Sequence, residues 1–223
     1  MINLIALQQK NKAQSLDQSF EHTLDQTVKM FLDAFKKEAF TRALLDLSQR
    51  QNYDRYCQAV KYKLSLYREA GHHVFLARDE GSIIGTIILR SPHVSASFGL
   101  KLRLIAPYLP AIAGLMPKFM KAAHLASAAK PPENLPKKYY ALEGLAVHPD
   151  YQGKGVGRLL LEKADQICCE DNSASGIYLL TGDERNKEIY KHFSYQILET
   201  RPAHSFTAYH MFKKSPAMHI RTD

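Results

Sequence analysis

The spacing of hydrophobic positions in the first third of the chain is helical. Apolar side chains recur every three or four residues from Leu24 to Phe35, which predicts a helix over Asp17–Ala39. The segment Phe40–Leu47 continues the pattern as a shorter helix, and a third helix is predicted over Tyr53–Ala70. Gly71 stands where that third helix should end, because glycine readily adopts the left-handed conformation that closes a helix.

Short apolar runs elsewhere have the length and composition of strands. A turn by composition, residues 79–82, separates the first two runs after the helices, which predicts a hairpin. The predicted strands are Ile2–Leu7, Val74–Ala77, Ile83–Leu89, Tyr139–Val147 and Ile177–Thr181. The length of the chain predicts one core, with residues 1–223 forming a single domain.

An apolar and basic segment, about residues 98–130, interrupts this order between the hairpin and the next strand. Its pattern is helical, and Pro107, Pro110 and Pro117 are expected to break or kink it. Three interpretations stay open: a wall or lid of a substrate pocket, an extra helical layer or dimer contact, and peripheral attachment to a membrane through basic residues. Those basic residues are Lys101, Arg103, Lys118 and Lys121. The longest uncharged stretch, Leu104–Pro117, is too short to span a bilayer.

A glycine-rich segment follows the predicted strand Tyr139–Val147. After a turn at His148-Pro149-Asp150 comes Gln152–Gly157, and from Val156 onwards apolar residues again have helical spacing. A strand, a glycine loop and a helix start together aim backbone N–H groups at an anion, and Lys154 adds positive charge. The pattern therefore predicts a phosphate-binding loop.

Two familiar phosphate loops do not match this segment: it has neither the GxxxxGK[ST] of a P-loop nor the GxGxxG of a dinucleotide fold. Its Q-x-x-G-x-G, formed by Gln152, Gly155 and Gly157, closely resembles the acetyl-CoA loop of the GNAT superfamily of N-acetyltransferases. A second match lies downstream, where an asparagine, Asn186, is followed by Tyr190 and by a step into a final hairpin. In that step Ser194 replaces the glycine that family members usually have.

The resemblance implies the α/β class, as an α+β arrangement on a mixed sheet. It implies a GNAT acyl-CoA N-acyltransferase fold with a helical insertion before the cofactor-binding strand, similar to puromycin acetyltransferase-like proteins. It implies acetyl-CoA as cofactor and direct attack of a primary amine on the thioester. The residues it assigns to the cofactor are Leu145, Ala146, Val147, Gln152, Gly153, Lys154, Gly155, Val156, Gly157, Arg158 and Asn186. The alternative is an acyl-CoA-binding sensor or regulatory protein without turnover.

Acetyl transfer also needs acid–base groups. The resemblance points to Tyr190 as the acid that protonates the departing thiolate. Glu143 is the best candidate for the base, acting through water. A strand period of two would place Glu143 on one face with Leu145 and Val147, where a carboxylate needs a use or a partner. The alternative is a structural carboxylate held by a neighbouring hydroxyl or lysine. His148 and the pair His72-His73 are weaker candidates.

The composition of the chain limits which kinds of partner and cofactor are expected. The net charge is +8, but the charges are dispersed and no nucleic-acid motif accompanies them, so nucleic acid is not an expected partner. The three cysteines match neither a disulfide framework nor a metal site, and no metal is expected. A cytoplasmic location is the simplest expectation, and a homodimer stays open. The sequence does not identify the acceptor amine. An amine of a small molecule and an amine of a peptide both stay open.

Overall fold

A mixed β-sheet forms the centre of the computed structural model, which describes residues 2–7, 17–203 and 205–216. The strands are β1 (Asn3–Ala6), β2 (His73–Asp79), β3 (Ser82–Arg90), β4 (Tyr140–Val147), β5 (Gly176–Thr181), β6 (Gln196–Ala203) and β7 (Phe206–Lys214). They lie in the order β1-β2-β3-β4-β5-β7-β6. Within this sheet β4 and β5 run parallel, and each other neighbouring pair is antiparallel. The predicted mixed α/β class is confirmed.

The helices are α1 (Asp17–Phe35), α2 (Ala39–Leu44), α3 (Arg50–Ala70), α4 (Phe98–Ile105), α5 (Leu109–Lys121), α6 (Ala123–Ala129), α7 (Val156–Glu170) and α8 (Glu184–His192). The first helix ends before the predicted Ala39, because Glu38 begins α2. The Glu38 carboxylate accepts the backbone N–H groups of Phe40 at 3.0 Å and Thr41 at 2.8 Å. Gly71 ends α3 with φ +87°, as its position predicts.

Helices cover both faces of the sheet. Helix α7 packs on one face, in a cluster that includes Leu160, while α1 and α3 pack on the other face with Leu64. Helix α7 lies very close to β3 at Gly85. A Cβ there would come within 2.9 Å of Val156 Cγ1 and 3.0 Å of Leu160 Cδ1. This close packing fixes the start of α7 beside the end of β4.

The insertion forms α4, a 3-10 turn at Ala106–Tyr108, α5 and α6. Helices α4 and α5 lie along α3, with Leu115 buried between them and Arg55 Nη1 donating to Gly114 O at 3.3 Å. Pro107 and Pro110 stand at the starts of the 3-10 turn and of α5, where the missing N–H is tolerated. Pro117 lies inside α5 and does not end that helix, so of the two expected effects, a break or a kink, only a kink remains open there.

Helix α6 is held against the C-terminal strands. His210 on β7 is buried, and burial lowers the pKa of its imidazole, so the ring is neutral. Its Nε2 lies 2.9 Å from Ala128 O and its Nδ1 lies 2.8 Å from the Tyr178 hydroxyl. A neutral ring satisfies both contacts when Nε2–H donates to the carbonyl and the hydroxyl donates to Nδ1. The insertion therefore bridges α3 at one end and β7 at the other.

Candidate active site

The two parallel strands separate partway along their length. β4 and β5 pair at Tyr140–Ile177, Ala141–Tyr178 and Leu142–Leu179. Beyond these pairs the described part of β4 continues to Val147 with no partner on the β5 side, while β5 stays paired to β7 as far as Thr181. A cleft with a free strand edge therefore opens between them after Leu142.

The direction of the backbone at this edge follows from the pairing with β3. The His148 N–H donates to Ile84 O at 2.9 Å, so position 148 faces β3. Because backbone groups alternate along a strand, Ala146 also faces β3, whereas Leu145 and Val147 face the cleft. The sequence expectation is therefore corrected at Ala146, whose N–H and C=O are used inside the sheet. Leu145 and Val147 keep the predicted position.

The glycine loop lies at the end of this edge. Gly155 precedes the first residue of α7 with φ +82°, and a Cβ there would point into open space. The first N–H to find an acceptor inside the helix is that of Leu159, which donates to Gly155 O at 3.0 Å. The N–H groups of Val156, Gly157 and Arg158 precede it and have no acceptor within α7. Together with the helix dipole they are placed to bind an anion at the mouth of the cleft.

The side chains of the glycine loop leave it accessible and tie it to β4. Residues 152–155 and Arg158 are exposed, which leaves the loop open to a ligand. The Gln152 side chain donates from Nε2 to Val147 O at 3.3 Å, so it ties the loop to the end of β4. Lys154 Nζ lies 4.9 Å from the centroid of the Tyr151 ring. Gly157 sits against β4, since a Cβ there would meet Val147 Cγ2 at 3.7 Å.

Glu143 lies at the point where β4 and β5 part, but not on the face that was predicted. In the pairing with β3, Gly144 opposes Ile88 and Leu142 opposes Leu89, so Glu143 is an extra residue in a β-bulge. The bulge breaks the alternation of side chains. Leu145 packs on the α7 side, whereas the Glu143 carboxylate turns towards α3. The expected face shared with Leu145 and Val147 is therefore wrong.

Three side chains hold the Glu143 carboxylate. The Tyr67 hydroxyl donates to Oε2 at 2.8 Å, Lys63 Nζ lies 2.9 Å from the same oxygen, and Arg90 Nε donates to Oε1 at 2.7 Å. Burial opposes ionisation, but Lys63 and the other two partners outweigh it and lower the pKa of Glu143 to about 2. Such a carboxylate is a weak base at neutral pH. The geometry therefore favours the structural alternative over the base.

Tyr190 and Asn186 lie one turn apart on α8, which follows β5 directly. Asp183 caps this helix by accepting the N–H of Asn186 at 3.0 Å. The Tyr190 ring packs edge-on against Tyr195, with 5.6 Å between centroids. Burial raises the pKa of the Tyr190 phenol well above its usual range, and the Glu38 carboxylate adds to that shift. The phenol is therefore protonated at neutral pH, and the same shift makes it a weaker acid than an exposed phenol.

Sequence reasoning missed Lys63, Tyr67 and Arg90. A signal for them existed, because Lys63 and Tyr67 are four residues apart on a predicted helix and Arg90 directly follows the apolar strand Ile83–Leu89. The weaker histidine candidates have local roles. His148 Nδ1 accepts the N–H of Asp150 at 3.3 Å, and His72 Nδ1 accepts the N–H of Ser91 at 3.3 Å.

A mixed sheet that parts between two parallel strands, with a glycine loop and a helix start at the mouth of the cleft, agrees with the acyl-CoA N-acyltransferase fold that the sequence resemblance implies. The chain belongs to the acetyltransferase (GNAT) family, whose model matches residues 34–195. No protein of curated function matches the chain in sequence.

Solved structures share the fold at low identity. One is described as histone acetyltransferase HPA2 and related acetyltransferase, from Corynebacterium glutamicum, with 16% identity, 96% of each chain covered and a TM-score of 0.62. PaiA N-acetyltransferase from Thermoplasma acidophilum, in complex with coenzyme A, has 12% identity, covers 96% of this chain and 99% of its own, and gives 0.56. The ribosomal-protein-S18-alanine N-acetyltransferase of Escherichia coli has 12% identity, covers 96% and 94%, and gives 0.53. At these identities the likeness establishes the fold alone.

Proposed function

We propose that this protein transfers an acetyl group from acetyl-CoA to a primary amine. The observation that carries the proposal is the cleft beyond Leu142, which joins a free edge of β4 to the anion site at the start of α7. An elongated ligand with a phosphate at one end and amide groups along its length fits both features. Coenzyme A has that form, and the coenzyme A complex of PaiA N-acetyltransferase supports it.

Different parts of the chain would bind different parts of coenzyme A. The N–H groups of Val156, Gly157 and Arg158 would hold the pyrophosphate, with Lys154 and Arg158 adding charge. The backbone of Leu145 and Val147 would bond the pantetheine amides, as a strand of the sheet would. Asn186 remains a proposed cofactor contact from α8. When bound, acetyl-CoA supplies an acetyl group already activated as a thioester.

The same elements can assist the chemistry. A β4 N–H that faces the cleft is placed to stabilise negative charge on a carbonyl oxygen. The Tyr190 phenol, protonated at neutral pH, can give its proton to a departing thiolate. We do not retain Glu143 as the base; we propose that it orders Lys63, Tyr67 and Arg90 at the inner end of the cleft, and that the amine loses its proton to water.

The test is thiol release from acetyl-CoA in the presence of four acceptor classes: small amines, amino acids, peptides with a free N-terminus, and peptides with an internal lysine. The proposal expects thiol release with at least one class, and much slower release by Tyr190→Phe with that acceptor. A folded protein that does not bind acetyl-CoA would contradict the donor. Saturable binding with no thiol release for any class would favour the acyl-CoA sensor.

A further inference from the structure

The insertion carries an apolar stripe that no described part of the chain covers. Of the eight large hydrophobic residues that are exposed among the described residues, six lie on α4 and α5. Five of them recur at intervals of four and seven residues, which places them along one side of the helical segment. They are Phe98, Leu102, Leu109, Met116 and Met120, and we call them the apolar stripe. Their exposure is large, reaching 80% for Phe98 and 71% for Met120.

The opposite side of the same segment is already occupied. Leu115 is fully buried against α3, and the Tyr108 ring lies 6.0 Å from Tyr62 of α3. The packing against α3 therefore sets the orientation of the segment and turns the stripe outward. An exposed apolar surface of this extent on a folded protein marks an interaction site.

The charged residues of the segment indicate which kind of surface the stripe would bind. No acidic residue stands between Glu80 and Glu133, whereas the same stretch carries Lys101, Arg103 and Lys118. Helical spacing places Lys101 beside the stripe, and Arg103 and Lys118 nearer the side that faces α3. Two acids from packed elements come near: Glu69 lies 3.7 Å from Arg103, and the Asp46 carboxylate interacts with Lys118. Arg103 nevertheless keeps 68% of its side chain exposed. An apolar stripe with an exposed cation beside it, on a basic segment without acids of its own, is complementary to an anionic and apolar surface.

We propose that α4 and α5 dock this protein onto the surface of an anionic phospholipid membrane, with the apolar stripe entering the acyl boundary and the cations meeting the headgroups. A second copy of the chain fits less well, because two such faces would bring like charges together. The stretch Phe98–Met120 is long and apolar enough by length and composition to cross a bilayer. It lies on the membrane in this proposal, since α3, which carries Lys61, Lys63 and Arg68, covers its other side.

The experiment is cosedimentation of the full chain with vesicles. One set contains phosphatidylcholine alone, and a second set contains phosphatidylcholine with phosphatidylglycerol. Binding to the anionic set is expected, and it should weaken as salt rises because the cations are exposed. Leu102→Asp should lower the partition coefficient roughly tenfold by placing a charge in the stripe. Lys101→Gln should lower it about fivefold by removing one surface cation.

Ile197→Asp is the matched control. Ile197 is an exposed hydrophobic residue on β6, away from the stripe, and the change alters the net charge by the same amount as Leu102→Asp. It should bind vesicles like the parent. All three variants should keep the parental melting temperature and acetyl-CoA affinity, so failure of the docking surface is distinguishable from failure of the proposed enzyme.

Three results would overturn the proposal: no binding to anionic vesicles, equal binding to both vesicle sets, or equal losses for Leu102→Asp and Ile197→Asp. Sedimentation equilibrium tests whether a second copy of the chain occupies the stripe instead. A dimer that Leu102→Asp dissociates, in a protein that does not bind vesicles, would show that the stripe joins two copies of the chain.

Discussion

Replacing Glu143 with glutamine separates the structural interpretation of this carboxylate from the catalytic one. The amide keeps the shape of the side chain but removes its charge. Lys63 and Arg90, which lie 2.9 Å and 2.7 Å from the carboxylate oxygens, then face a neutral group. The Tyr67 hydroxyl can still donate to the amide oxygen, so the loss is mainly electrostatic.

The magnitude follows from the pKa of Glu143, which falls from 4.5 to about 2 in the folded protein. A shift of that size corresponds to about 3 kcal/mol of stability at neutral pH. The side chain is 26% exposed, so solvent screens part of the interaction. We therefore expect Glu143→Gln to lower the free energy of unfolding by about 2 kcal/mol at pH 7.

The pH dependence has a definite sign. Because the folded pKa lies below the unfolded pKa, the contribution is complete above pH 4.5 and is lost as the pH falls towards about 2. Urea unfolding of parent and variant should therefore show a constant difference above pH 5 that shrinks below pH 4.5. The control is Glu133→Gln, since Glu133 is 92% exposed and 3.7 Å from Lys130. It should change stability by less than about 0.5 kcal/mol.

Measurements of kcat for Glu143→Gln can refute the structural role of Glu143. If Glu143 orders its neighbours, kcat should fall in step with the loss of order and the pH–rate profile should keep its shape. A Glu143→Gln protein with parental stability and a kcat lowered by about 10²-fold or more would contradict the structural role and restore Glu143 as the base.

Three further variants test the C-terminal half. Tyr190→Phe should lower kcat by about 10²–10⁴-fold with little change in KM for acetyl-CoA, in initial-rate measurements; full activity would remove the general acid. Ser194 has φ +69°, so Ser194→Gly should relieve the strain of the left-handed conformation. The free energy of unfolding, measured by urea titration, should rise by about 1 kcal/mol. A loss of stability would contradict this. The Tyr195 hydroxyl is buried and finds no hydrogen-bond partner among the described residues, so Tyr195→Phe should raise the melting temperature, corresponding to about 1 kcal/mol; a lower melting temperature would show a hidden partner.

The sequence was sufficient for features that depend on local pattern. Short apolar runs predicted β1 to β5, and the glycine-rich segment predicted a loop before α7, because each rests on neighbours in the chain. The final hairpin, β6 and β7, came only from the family resemblance. The left-handed turn at Ser194 also belongs to the local pattern, since the family usually has glycine there and the serine adopts the same region, with φ +69°.

Features that depend on distant contacts were harder to predict. The bulge at Glu143 adds one residue to β4 and reverses the side chain's face, and a period of two contains no sign of it. Lys63 and Arg90 reach Glu143 from sequence separations of 80 and 53 residues, so their convergence needed the folded chain. Pro117 illustrates the same limit, because the sequence allowed either a break or a kink and the helix continues through that position.

The most direct test of the acetyl-CoA site is calorimetric binding of acetyl-CoA to two glycine variants. Gly155 and Gly71 have φ +82° and +87°, and at each a Cβ would point into open space. Gly155→Val and Gly71→Val therefore impose similar backbone strain, but only Gly155 lies at the start of α7 beside the cleft. The account predicts that Gly155→Val loses acetyl-CoA binding while Gly71→Val binds like the parent. Parental affinity in a folded Gly155→Val protein would contradict the assignment of this loop.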